Sequence, residues 1–260
     1  MQVHWPFCSC LCVLVVIFRG IMLESSSVTK KVVVLGAGIQ GASVAYYLSR
    51  RGISSVIVES DSIASAASGK AGGFLARNGG SGPTKQLHET SFDLHVELST
   101  ELNVESFRRI PTLEVIGKSQ GGNLAPWLDR KVTSSLMDSV TAQVTPKELT
   151  EKFIEYSLSK GSELLIGTVS GVNIDPIRKA VTGVYIENVG LLEAENIVVC
   201  MGPWSGVACE DWFGLSIPLN GIKSSSIIFK DIVAVDDDPF ACFCAEDAHG
   251  CHLELYATHA

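Results

Sequence analysis

Lys31-Val32-Val33-Val34-Leu35 runs without a break into Gly36-Ala37-Gly38-Ile39-Gln40-Gly41, and the reading of this stretch decides the fold. The β-branched run has the unbroken apolar character of a parallel strand buried on both faces. Helical spacing begins directly after it, with Ala42, Val44, Ala45 and Leu48 recurring over 39–51 and Gly52 supplying the stop. A second strand over Ser55 to Val58 ends on Glu59. Strand, helix and strand of this length make a parallel pair joined by a right-handed crossover. In that context the spacing Gly-x-Gly-x-x-Gly is a dinucleotide-binding fingerprint, which glycines alone would not be. Gly36 permits the tight turn, Gly38 lets the backbone approach a pyrophosphate, and Gly41 lets the helix pack close on the strand. The helix opening at Ile39 and Gln40 offers unpaired N–H groups and a positive dipole end to the phosphates. Glu59, with Ser60 beside it, is placed to accept hydrogen bonds from an adenosine ribose and disfavours a 2′-phosphate.

Composition bounds the rest. The chain has 260 residues, 46% hydrophobic and 18% charged, which is a globular balance with room for one large or two small domains. A formal net charge of −8 with no Lys/Arg cluster excludes the electrostatic footprint of a nucleic-acid binder. The eight cysteines fall as Cys8, Cys10 and Cys12, then Cys200 and Cys209, then Cys242, Cys244 and Cys251, spacings that form no compact disulfide framework. A reducing, cytoplasmic location is the expectation. Trp5 to Phe18 is apolar but short for a membrane span, and no Lys or Arg precedes it. Residues 1–30 are therefore read as an N-terminal extension or targeting segment; Met22 is a second possible start, and the residues before it either take no part in the fold or pack into its body through 5–18. An organelle or secretory route is the alternative location if residues 1–21 act as a signal.

Downstream, residues 63–82 are small and polar with six glycines from Gly69 to Gly82, the mark of a long functional loop. A helix is predicted over 84–102 with Leu87, Phe92, Leu94 and Leu98 as core positions, a strand over 112–117, a turn over 119–123 and a helix over 126–136. Thr145 as N-cap, Pro146 at the first helical position and Glu148 three residues on read as a capping box, with the helix stopping at Gly161. Short strands follow over 163–166, 169–174, 181–187, 191–193 and 197–200, the last ending on Gly202-Pro203-Trp204-Ser205.

The fingerprint does not choose between FAD and NAD. At this point the sequence resembles the D-amino-acid oxidase-like FAD-dependent oxidoreductases, the superfamily of glycine oxidase and sarcosine oxidase. The resemblance rests on 32–59, on Ser65-Ala66-Ala67-Ser68-Gly69-Lys70-Ala71-Gly72-Gly73, and on 143–205. It implies FAD as cofactor and an α/β architecture, a Rossmann-like FAD-binding domain from 31–85 and 143–205 with an α+β substrate domain from 86–142 and 206–260. It also implies that the second glycine loop clamps the cofactor: small residues at Ser68, Gly69, Ala71, Gly72 and Gly73 would bring main-chain N–H groups to a diphosphate or flavin ring, and Lys70 would add a cation. Val169, through its backbone, and Gly202 and Trp204 stand where the family places further cofactor contacts.

The implied activity is oxidation of a carbon–nitrogen bond in a small amine or amino acid by hydride transfer to flavin. An NAD-dependent dehydrogenase and a non-catalytic variant acting by binding are the alternatives. No acid or base is assigned, since His88 and His95 read as structural. No metal is assigned either: Cys242, Cys244, His249, Cys251 and His252 lack the separated paired spacing of a zinc site. The family's closing Arg-Pro segment is not found before Ala260. The sequence alone therefore leads us to expect a truncated form with little turnover.

Overall fold

A computed structural model describes residues 16–19 (backbone only), 31–117, 124–125, 127–128, 131–223, 225–227, 239–245 and 253–256. The chain divides into two compact units, one of residues 1–71 and 149–224 and the other of residues 72–148 and 225–260.

The first unit is built on a five-stranded sheet in the order Val16–Arg19, Asn196–Val199, Val32–Leu35, Ser55–Glu59, Glu163–Ile166. The last four are parallel, and Val16–Arg19 closes one edge in antiparallel register with Asn196–Val199. Because successive strand residues point to opposite faces, Val33, Leu35, Val56, Val58, Ile197 and Val199 share one face. They pack against Val181, Val184 and Ile186. Those three belong to an antiparallel sheet of Val169–Asp175, Ala180–Ile186 and Gly190–Glu193. Val34 faces the other way, toward helix Ile39–Arg50. From that helix the fully buried Tyr46 meets Phe153 and Tyr156 of helix Pro146–Ser159, with ring centroids 4.9 and 4.8 Å apart. The predicted helix stops are in place. Gly52 and Gly161 adopt φ +73° and +89°, and they and the residues after them return their N–H groups to the last turn.

The second unit holds the sheet Glu254–Tyr256, Ala241–Cys244, Thr112–Gly117, Val132–Asp138, a small sheet of Phe74–Ala76, Thr141–Gln143 and Arg108–Arg109, and helix Lys85–Glu101. No helix among the described residues is long and apolar enough to cross a membrane.

Several expectations are corrected. The extension of residues 1–30 is not wholly outside the fold, because Val16–Arg19 is a β-branched and aromatic stretch that covers an otherwise open sheet edge. The helix expected over 126–136 gives way to strand Val132–Asp138. Pairing there places Val132 with Leu113 and Val115 in one apolar cluster, which an isolated helix could not do. The turn expected over 119–123 lies outside the described residues. The 63–82 loop contains strand Phe74–Ala76, antiparallel to Thr141–Gln143, which ties residues 72–85 to the second unit rather than the first. Conversely, helix Ser205–Phe213 belongs to the first unit, since Cys209 is buried against the cluster of Ile197 and Val199. Helix Lys85–Glu101 buries only a narrow stripe: Phe92 and Leu98 are covered, whereas Leu87 and Leu94 are exposed.

The Glu148 carboxylate does not close a capping box. It accepts the N–H groups of Glu105 and Ser106 at 2.7 and 3.0 Å, while the Thr145 N–H donates to Ser106 Oγ. A neighbouring loop has captured the group that local sequence assigned to the helix.

A chain starting at Met22 lacks the edge strand and leaves Asn196–Val199 unpaired on that side. Its urea unfolding midpoint is expected to lie below that of the full chain, and equal midpoints would show that Val16–Arg19 adds nothing to the fold.

Candidate dinucleotide-binding site

Strand Val32–Leu35 delivers the chain to Gly36 at φ +104°, where a Cβ would lie 2.5 Å from the Cys200 carbonyl oxygen of the adjoining strand. The Gly36 N–H donates to the Val58 carbonyl at 2.7 Å on the opposite neighbour. A Cβ at Gly41 would lie 1.8 Å from the Gly36 carbonyl oxygen, so that glycine is what lets helix and turn cross. Gly38 differs from both. Its φ of −73° suits any residue, and an added Cβ would meet only the Ser68 side chain, with Oγ at 3.1 Å. Two glycines of the triplet are demanded by the fold, and the third leaves the space before the helix start open.

The helix start behind that space is suited to an anion. It has no side-chain cap and no acidic residue in its first turn. The Ile39 N–H is taken by Ser68 Oγ at 2.9 Å, and the main-chain ladder opens with Ala42 N–H to Gly38 O. The Gln40 and Gly41 amides, which precede that ladder, are left for a ligand or solvent. At the mouth of the turn Glu59 is held in place: Oε2 accepts the Ala37 N–H at 2.8 Å, and Oε1 accepts Ser60 Oγ–H and the Asp61 N–H, both at 3.1 Å. The remaining lone pairs of its carboxylate suit the hydroxyls of a ribose.

Sheet order fixes why the site is here. From Val32–Leu35 the chain proceeds outward through Ser55–Glu59 to Glu163–Ile166, then returns to Asn196–Val199 on the other side. The crevice at the carboxyl ends of such diverging strands is where open α/β sheets bind ligands. The Gly202–Trp204 turn follows one of those ends, with Gly202 at φ +56° and Trp204 61% exposed.

The second loop divides. Ser68 and Gly69 fold against the first turn: the Ala64 N–H donates to Ala37 O at 3.1 Å, and a Cβ at Gly69 would lie 2.1 Å from Ala64 O. Lys70 and Ala71 are exposed. Gly72 and Gly73 belong to the second unit and have reasons of their own. A Cβ on Gly72 would strike the Tyr256 ring at 2.8 Å, and Gly73, at φ +71°, would strike Val144 O at 1.8 Å. Val169 begins its strand half-buried against the core, opposite Ile186. Ala64, at φ +56°, escaped the sequence reading because an alanine gives no sign of a left-handed conformation.

Among the histidines, His95 Nδ1 lies 2.7 Å from Ser91 O on its own helix, and burial lowers its pKa. The His88 ring lies over Gly80. Cys242 is a buried strand residue, while His249, Cys251 and His252 lie outside the described residues.

The family profile described as DAO, FAD dependent oxidoreductase, matches residues 31–259. A Schizosaccharomyces pombe protein named "Putative oxidoreductase C1F5.03c" is 26% identical over 267 residues, covering 82% of this chain and 70% of that protein. Glycine oxidase from Bacillus cereus superposes with TM-score 0.61 at 22% identity, over 70% of this chain and 58% of its own. L-proline dehydrogenase from P. horikoshii does so with TM-score 0.62 at 17% identity, over 88% of this chain and 70% of its own. These two likenesses show the shared fold.

Two outcomes follow from this geometry. Gly38→Val places a branched side chain in the phosphate space without straining the backbone. It is expected to lower the FAD content of the purified protein at least tenfold while leaving the unfolding free energy within about 1 kcal/mol of the parent; retained flavin would contradict the placement. Burial pushes the Cys200 thiol from its ordinary 9.0 up to about 12. A raised folded-state pKa gives stability that is complete below pH 9 and is lost as pH rises toward 12, because the unfolded chain ionises first. Unfolding midpoints followed across that range should fall more steeply for the parent than for Cys200→Ala, and parallel slopes would refute this.

Proposed function

Because the chain belongs to the DAO family of FAD-dependent oxidoreductases, we propose that it oxidises a carbon–nitrogen bond in a small amine or amino acid. The observation that carries the reading is the fit of the first unit to the cofactor's nucleotide half. Gly38 is a glycine that the backbone does not require, and it stands before a helix start free of acids. The Gln40 and Gly41 amides would hold the pyrophosphate, and Glu59 the ribose. Exposed Lys70 would neutralise part of the phosphate charge. The flavin, when bound, supplies the hydride acceptor. The substrate class is supported by the structural neighbours, whose names give them as acting on glycine and L-proline.

The test is direct. The purified chain should be yellow and release FAD on denaturation, and anaerobic addition of sarcosine, glycine, D-amino acids or simple secondary amines should bleach the bound flavin with at least one of them. An FAD-loaded protein that none of these reduces would overturn the substrate class.

A further inference from the structure

Asn78 and Asn220 are the asparagines of this chain that precede a glycine. A glycine in that position leaves the main-chain nitrogen open to attack on the asparagine side chain, because no Cβ stands in the way. The surroundings of the two differ. Asn78 is exposed in the second unit, in the link between strand Phe74–Ala76 and helix Lys85–Glu101. That link is anchored on both sides of the asparagine: Arg77 donates twice to Asp93 of the helix, each time at 2.9 Å, and the Thr84 hydroxyl donates to Ser81 O at 2.9 Å. Between the anchors the His88 ring lies over two glycines. A Cβ at Gly80 would stand 2.6 Å from His88 Cδ2, and one at Gly79 would stand 3.6 Å from His88 Nδ1. Among the described residues, neither the Asn78 carboxamide nor the His88 ring has a hydrogen-bond partner. The Gly79 N–H reaches the Ala76 carbonyl only at 3.4 Å, beyond the ordinary range. At Gly221 the atoms nearest an added Cβ are carbons of Pro203.

We propose that Asn78 is a self-modifying site, at which His88 is the base that converts the asparagine to aspartate or isoaspartate. Nδ1 carries a lone pair when the neutral ring holds its proton on Nε2. It takes the Gly79 N–H proton as that nitrogen bonds to the side-chain carbonyl carbon of Asn78. The carboxamide C–N bond then breaks, and the amine leaves as ammonia with the proton that His88 returns. Water opens the resulting five-membered imide at either carbonyl. No electrons are exchanged, and water is the co-reactant. Exposure of Asn78 lets ammonia out and water in. The anchors at Arg77 and Thr84 hold base and nitrogen together, which is the advantage of the folded chain over a free peptide. Either product puts a new negative charge beside Arg77, whose guanidinium already pairs with Asp93, and the iso form lengthens the main chain by a methylene. The step uses no flavin and stands apart from the oxidation proposed above.

The experiment incubates the full chain, folded and in neutral buffer, and follows conversion at Asn78 by mass spectrometry of its proteolytic peptides. A synthetic peptide of residues 74–82, which lacks His88, is the free reference, and Asn220 is the reference within the chain. Expected is conversion at Asn78 at least tenfold faster in the chain than in the peptide. The rate should fall to that of the peptide in His88→Phe, which keeps a ring over the glycines, and in His88→Gln, while conversion at Asn220 stays as in the parent. Near-UV circular dichroism checks the fold of both variants. A rate at Asn78 no faster than that of the peptide, or an acceleration that survives either substitution, would overturn the proposal.

Discussion

The close crossing of helix Ile39–Arg50 over the turn that precedes it is the constraint on which the first unit depends. With a Cβ at Gly41 only 1.8 Å from the Gly36 carbonyl oxygen, no other residue could keep that approach. The approach aims the helix start at the carboxyl end of the central strand, and Val34 beneath it fills the space that the missing side chain leaves. Gly36 supports the same geometry from the other side, since its left-handed conformation turns the chain while its hydrogen atom faces the Cys200 carbonyl. Conformation at Gly36 and close contact at Gly41 thus act together to place the helix start.

Electrostatics at that end is divided between main chain and side chain. The helix brings its dipole and free amides with no acid in the first turn to cancel them. The Glu59 carboxylate belongs to the second strand and is held by the Ala37, Ser60 and Asp61 donors. An anion at the helix start would meet N–H groups, and a hydroxyl-bearing sugar at Glu59 would meet the carboxylate. Ser68 connects the second loop to this arrangement through one hydrogen bond to the Ile39 amide, so part of that loop is set by the site it adjoins.

The glycines of the second loop show how one composition can serve different ends. Gly69 is required by the Ala64 carbonyl within the first unit, whereas Gly72 and Gly73 answer to an aromatic ring and to strand pairing within the second. A run of small residues reads as a single clamp in sequence. In the fold it is the passage between two packing environments.

What the sequence by itself determined is the strand, helix and strand of the first unit, its three fingerprint glycines, Glu59 and the two glycine helix stops. Each of these is marked locally, by periodicity or by a glycine where the chain must turn, even where, as at Gly36, the contact that requires it lies with the distant Cys200 carbonyl. Tertiary structure decided the rest. Val132–Asp138 is a strand because Thr112–Gly117 lies beside it, and Glu148 leaves its helix because the Glu105 and Ser106 amides offer two bonds. Gly38 could be separated from Gly36 and Gly41 only once the position of Ser68 was known. Phe74, Phe243 and Tyr256 come from three distant segments, and Glu114 and Glu254 flank Phe243 only through strand register. Register is set by which apolar faces must be buried together, a property of the assembled sheet that no local stretch of sequence contains.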